Sequence, residues 1–246
     1  MRKILSLMRK AIENYKMVLN GDSVFVGLSG GKDSILLLTA LREFQRFDGI
    51  EFNLSAIHID TGFKKQNKAE FDKMTAYVES LNIPLHIVKT DIEEIIEVRK
   101  ETSPCSLCAK MRRGALNNKI NELGGGKLAL GHNADDVAET FIMSLFFEGR
   151  LSCFQPISYM SRSDITMIRP FIYIKEKMIE NTVNRLGLPI LTSGCKYNKK
   201  TMREHTKGFL NAISKDFPLA KDRILSAIYH PERNNLWDET SPIKND

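Results

Sequence analysis

Apolar residues recur at Ile4, Leu7, Met8, Ala11, Ile12 and Tyr15 with lysines and arginines on the other side, the spacing of one helical face over residues 3–19. Gly21 and Asp22 stop that helix. Short runs rich in Val, Ile or Leu then read as strands at about 23–28, 54–59, 85–89, 127–131 and 166–169. Helical periodicity falls between them near 34–47, 67–81, 109–123 and 134–147. It resumes near 175–187, 200–213 and 217–229, where the chain also turns basic. Continuously apolar strands alternating with helices predict an α/β protein, a doubly wound parallel sheet with helices on both faces. The expected organisation is an N-terminal helix over 1–20, the α/β domain over 21–170 and a small, basic helical part over 171–246, whose last dozen residues look frayed.

Ligands of such a sheet lie at the carboxyl edge of its strands. Three segments fall there: Ser29-Gly30-Gly31-Lys32-Asp33-Ser34, His58-Ile59-Asp60-Thr61-Gly62 and Gly131-His132-Asn133-Ala134-Asp135-Asp136. The first runs from a strand through two glycines into a helix, which offers free N–H groups and a positive dipole end to a phosphate. Its spacing matches neither a Walker A loop nor a dinucleotide-fold glycine pattern. Ser29, Gly30, Gly31 and Ser34 would supply N–H and hydroxyl donors, and Lys32 charge. Asp33 is the odd member, because a carboxylate about 4 Å from a phosphate is repelled by several kcal/mol at an effective dielectric near 20. A divalent cation between the two removes that conflict. Asp135 and Asp136 read either as N-terminal charge on a helix or as partners of Asp33 in holding Mg²⁺. Asp60 would meet adenine or ribose, or end a strand in solvent; His132 would be a ligand, a base or a packing residue.

Composition narrows the partners. With 246 residues, 42% of them hydrophobic, the chain supports a full α/β core. Lys and Arg outnumber Asp and Glu by 36 to 30, a formal charge of +6 that biases the protein toward a polyanion. Arg112, Arg113 and the run Lys196, Lys199, Lys200, Arg203, His205 and Lys207 concentrate that charge; a solvated helix face is the competing reading. Four cysteines are too few and too uneven for a disulfide framework, so a reduced, cytoplasmic compartment is expected. No stretch of about twenty apolar residues exists, and Arg9 and Lys10 interrupt the N-terminal apolar run, so neither a membrane span nor a secretory signal is expected.

Cys105 and Cys108 stand three apart at a helix start, where the dipole favours thiolates. A single C-x-x-C fits zinc, an iron–sulfur cluster, a redox disulfide or chance. Zinc wants four ligands. The chain offers Cys195, and beyond it only Cys153, which reads as a core thiol between Ser152 and Phe154. Three cysteines without a fourth suit an iron–sulfur cluster with one iron left open to an exogenous sulfur.

The hexapeptide SGGKDS resembles the PP-loop of enzymes that split ATP between its α and β phosphates. Together with Asn20-Gly21-Asp22, residues 104–116 (PCSLCAKMRRGAL), residues 131–151 (GHNADDVAETFIMSLFFEGRL) and a late lone cysteine in a basic context, the chain resembles the TtcA group of tRNA 2-thiocytidine synthetases over roughly residues 5–225. The resemblance implies an adenine nucleotide α-hydrolase-like (Rossmann-like) sheet and an ATP-dependent tRNA sulfurtransferase. It implies a 4Fe–4S cluster on Cys105, Cys108 and Cys195, with ATP adenylating the C2 oxygen of a pyrimidine and sulfur displacing AMP. Nucleotide contacts are expected from residues 29–34, His58, Asp60, Gly131 and His132, catalysis from Asp33, Asp135, Asp136 and Arg112, and Mg²⁺ at Asp33 and Asp136. Partners are then tRNA and a sulfur donor (a cysteine desulfurase or sulfide). Independently of the resemblance, the apolar face of the first helix suggests a second copy of the chain. The family commonly reads Gly-His-His-Arg-Asp-Asp at 131–136 and pairs a second cysteine with the late one; this chain departs from both. A lysidine-synthetase-type ligase, a reductase of adenylylated sulfate and a zinc-stapled RNA-binding module are the alternatives; the cysteine trio or its spacing disfavours the first two, and the intact loop the third.

Overall fold

A computed structural model describes residues 1–47, 49–62, 67–99, 103–192, 194–195 and 202–236. Helix α1 (Arg2–Tyr15) buries Ile4, Met8, Ala11 and Ile12 within its own chain, so the face that suggested a second copy is already covered. It ends four residues before its expected limit, at a left-handed Lys16, and the apolar Met17 and Val18 beyond it enter the core directly. There follow β1 (Ser23–Gly27), α2 (Lys32–Phe47), β2 (Asn53–Asp60), α3 (Lys68–Ser80), β3 (Leu85–Lys89), α4 (Ile92–Arg99), α5 (Pro104–Glu122), β4 (Lys127–Ala129) and α6 (Ala134–Met143). A π turn at Ser144–Glu148 leads to β5 (Ile157–Met160), β6 (Ile165–Ile168), α7 (Glu176–Leu186), α8 (Met202–Asp216) and α9 (Ala220–Tyr229).

The sheet order is β3-β2-β1-β4-β6-β5, parallel throughout except for the β5–β6 hairpin. All five expected strands are present. The antiparallel β5 was not anticipated, and its half-exposed residues explain why: without a buried face it carries no strand signal. Helix α4 was also missed, being only eight residues long, and α5 starts at Pro104 rather than 109 because proline suits the first turn.

Alternate residues of β1 face opposite ways. Val24 and Val26 join one cluster with α1, α2 and Ile179, Val183 and Leu225 of α7 and α9, while Phe25 joins Ile96, Leu116 and Ile120 of α4 and α5. Each such Leu, Ile or Phe contributes about 1.5–3 kcal/mol on burial. The C-terminal helices therefore share the core of the sheet. Since β1 lies between β2 and β4, the strand order reverses there, and the loops after β1 and β4 open a crevice at the carboxyl edge. No helix among the described residues is long and apolar enough to cross a membrane.

Candidate active site

Leaving β1, the chain turns at Gly30 with φ +83°, where a Cβ would lie 2.6 Å from the Cβ of Leu191. Only glycine meets both demands. Ser29 Oγ accepts from Gly31 N–H at 3.3 Å and lies 3.1 Å from Ser34 Oγ, which donates to the Gly31 carbonyl at 3.0 Å. These bonds close the loop and leave the first N–H groups of α2 facing the crevice, where an anion can use them.

The loop after β4 approaches just as closely. A Cβ on Gly131 would meet the backbone of Asp33 at 3.0 Å. Asn133 forms a capping box with Asp136 at the start of α6, and its Nδ2 donates to Asp33 Oδ1 at 3.1 Å. Asn133 thus holds both carboxylates, Asp33 through its side-chain N–H and Asp136 through its backbone N–H. Burial pushes the Asp136 carboxyl up, and the nearby Asp33 and Glu176 add to this against the Asn133 N–H and Arg203. Asp135 faces elsewhere: it accepts from Glu176 N–H at 2.7 Å and from Lys221 at 2.9 Å, tying α6 to α7 and α9.

A lattice of ion pairs rims the crevice. Glu176, in the first turn of α7, binds Lys32 and Lys207 at 2.8 Å each, and Lys32 also reaches Asp33 at 3.1 Å. Burial alone would raise Glu176, yet Lys207 and Lys32 together hold it below the usual carboxylate range. Lys32 in turn is raised: Glu176 and Asp33 outweigh its burial. Arg203 binds Asp136 at 2.9 Å and Thr140 Oγ1 at 3.1 Å. Arg203 and Lys207, expected on an RNA-facing surface, therefore point at carboxylates of the site, whereas His205 is exposed on α8. Lys196, Lys199 and Lys200 lie outside the described residues. Glu139, one turn after Asp136, is only 3% exposed, and burial pushes it up to about 7.

At the end of β2, His58 donates from Nδ1 to the Leu28 carbonyl at 2.8 Å, which leaves Nε2 as a buried acceptor without a partner among the described residues. Burial lowers its pKa. The Asp60 carboxylate accepts from Gly62 N–H at 3.0 Å, shaping the strand end. His132 stacks on Phe154 with ring centroids 4.9 Å apart. Burial, and then Arg169, Arg203 and Arg113, push it down to about 3, so the imidazole is neutral. Arg169, beside the same Phe154 ring at 4.9 Å, carries no sequence signal separating it from any other strand-end cation. Glu176 likewise reads only as first-turn helix charge.

The cysteines converge on this edge. Leu191 N–H donates to the Gly30 carbonyl at 2.9 Å and Thr192 N–H to Glu70 at 2.7 Å, which carries the chain toward Cys195 alongside the phosphate loop. Burial raises the Cys108 thiol, Arg112 lowers it, and Cys195 and Cys105 raise it again, so the three thiols and Arg112 share one neighbourhood. The Arg112 charge also lowers the His58 imidazole, so it acts on both Cys108 and the end of β2. Cys153 is half-buried and packs against the main core. Among the described residues no three His, Cys, Asp or Glu side chains converge on a single point as one metal ion requires. A cubane spreads its ligands over separate irons, so three thiols sharing a region fit it without such convergence.

Residues 2–205 match the PP-loop domain family ATP_bind_3. The chain is 34% identical over 242 residues to the tRNA-cytidine(32) 2-sulfurtransferase of Pelobacter propionicus, covering 97% of this chain and 89% of that one. It is 32% identical to the protein of the same name from Syntrophotalea carbinolica, covering 96% and 92%. Among solved structures it is similar to the U34-tRNA thiolase NcsA from Methanococcus maripaludis with its [4Fe-4S] cluster, with TM-score 0.76, 25% identity, and 98% of this chain and 82% of that one covered. NMN synthetase from Francisella tularensis shares the fold, with TM-score 0.52 at 16% identity over 98% and 97% of the two chains. The match across nearly the whole length, on a sheet whose switch point carries this loop, makes the chain a member of the PP-loop family and, within it, of the tRNA-cytidine(32) 2-sulfurtransferases.

Proposed function

We propose that the chain is an ATP-dependent tRNA sulfurtransferase that replaces the C2 oxygen of a tRNA cytidine by sulfur, with release of pyrophosphate and AMP. The hydrogen bond from Leu191 to Gly30 carries this reading, because it brings the segment of the late cysteine to the phosphate loop. Kinship with the named sulfurtransferases supports the substrate.

Ser29, Gly30, Gly31 and Ser34 cradle the phosphates of ATP, and Lys32 exchanges Glu176 for a phosphate oxygen. Asp33 and Asp136 hold Mg²⁺, whose preference for carboxylate, phosphate and water oxygens suits the pair kept apart by Asn133. The C2 oxygen attacks the α phosphorus and pyrophosphate leaves. Sulfur at the oxidation level of sulfide then adds to C2, its proton is lost, and the former carbonyl oxygen departs within AMP. Adenylation makes that oxygen a good leaving group. A 4Fe–4S cluster on Cys105, Cys108 and Cys195 would supply an iron without a protein ligand at which the incoming sulfide is held. Arg112, within reach of both thiols and nucleotide edge, offsets their negative charge.

Anaerobic purification tests the reading. The protein should be brown with about four irons per chain, Cys195→Ser should lose the cluster, and 2-thiocytidine should vanish from the tRNA of a deletion strain. A colourless protein with stoichiometric zinc, or unchanged 2-thiocytidine, overturns it.

A further inference from the structure

The first turn of α1 and the outer face of α7 enclose a groove of about 680 Å³. Arg2, Lys3, Lys175, Lys177 and Arg185 line it, and among the described residues no Asp or Glu does. Lys175 is paired with Asp222 at 2.6 Å and Lys177 lies 3.8 Å from Glu180. Arg2, Lys3 and Arg185 have no carboxylate partner among the described residues. Helix α1 adds to the imbalance, since its first turn contains no acidic residue and its N-cap makes no side-chain hydrogen bond. Cations at the positive end of a helix dipole repel it, and the arrangement is relieved when an anion covers both.

The shape of the charge selects the anion. A single phosphate would meet one or two of these groups, whereas Arg2, Lys3 and Arg185, with Lys175 and Lys177 beside them in exposed ion pairs, spread charge over two helices as the repeated phosphates of a nucleic-acid backbone require. The groove borders the elements of the site. Lys175 lines a second, smaller cavity together with Asp135 and Lys221, and the next residue, Glu176, holds Lys32 of the phosphate loop.

We infer that the α1–α7 groove is a docking surface for the phosphate backbone of the tRNA, positioning the molecule while its target nucleotide enters the crevice; this rests on the sulfurtransferase reading. Contacts of this kind fix register and carry no sequence information themselves.

The test combines Arg2→Ala, Lys3→Ala, Lys177→Ala and Arg185→Ala in the full chain, all four positions being exposed. Affinity for tRNA is measured across salt concentrations, with a thermal melt and ATP binding as controls. The variant should melt like wild type and bind ATP equally well, but bind tRNA at least tenfold more weakly. Its plot of log affinity against log salt should be shallower by about two to three, at roughly 0.9 per lost phosphate contact. An unchanged affinity and slope in a variant that melts normally overturns the groove alone. Wild-type protein that binds no tRNA overturns the sulfurtransferase reading as well.

Discussion

Leu191 N–H donates to the Gly30 carbonyl at 2.9 Å, and the Leu191 side chain lies where any Cβ on Gly30 would have to go. Four residues later comes Cys195, so its Cα stays within about 14 Å of the Leu191 Cα by chain length alone. One backbone contact thereby ties the segment of the late cysteine to the glycine turn.

Gly30→Ala meets two obstacles, the positive φ and the 2.6 Å approach to Leu191. The strain is on the order of 1–3 kcal/mol before any shift of Leu191 is counted. The variant should melt several degrees lower and lose both AMP release and, after anaerobic purification, part of its iron. AMP release at the wild-type rate would show that the turn is not the phosphate cradle.

Asn133 is the second coupling point, capping α6 while restraining Asp33. Replacement by Ala removes a cap, at a cost of about 1 kcal/mol, and frees Asp33; AMP release should fall at least tenfold. Asn133→Asp keeps the cap but puts a third carboxylate beside Asp33 and Asp136, which draws a cation more strongly. AMP release by that variant should reach half its maximal rate at lower Mg²⁺, and an identical Mg²⁺ titration would remove Asp33 from metal binding.

Much of this was legible in the sequence, and the failures have physical reasons. Strands β1 and β4, which flank the switch point, bury apolar residues in unbroken runs, and glycine spacing marks the loop, because both signals are local. Asp135 and Asp136 look equivalent in sequence, yet one helical step sends the first to α7 and α9 and the second toward Asp33. Glu176 and Arg169 are ordinary charges until tertiary packing brings them to the crevice. The basic stretch of α8 resembles a solvated face only as long as the carboxylates of α6 and α7 that receive Arg203 and Lys207 are unseen. Strand β5, held mainly by its hairpin partner, has no pattern of its own to detect.

Glu139 makes stability depend on pH. Its carboxyl titrates near 7 in the folded chain against an ordinary value of 4.5. Between those values the folded state binds more protons than the unfolded one, so stability falls as pH rises through that interval and is level above it. Glu139→Gln copies the protonated form. It should raise Tm at pH 8 by a few degrees, on the order of 1 kcal/mol, and change little at pH 5. Parallel melting curves for the two proteins at both pH values would mean that Glu139 is solvated in the folded state.

His132 shifts in the opposite direction. Burial first, then Arg169, Arg203 and Arg113, hold its imidazole at about 3 in place of 6.5. The folded state binds fewer protons than the unfolded one between these values, so this group removes stability as pH falls from 6.5 toward 3. Its ring protons in an NMR titration should stay at the neutral position from pH 8 to pH 5. Three arginines supply part of the depression, so a polyanion lying among them must relax it. Adding tRNA should move the His132 titration upward, while ATP-free protein with no nucleic acid should show none in this range. A titration near 6.5 in the free protein would place the ring in solvent and remove it from the arginine-lined wall of the crevice.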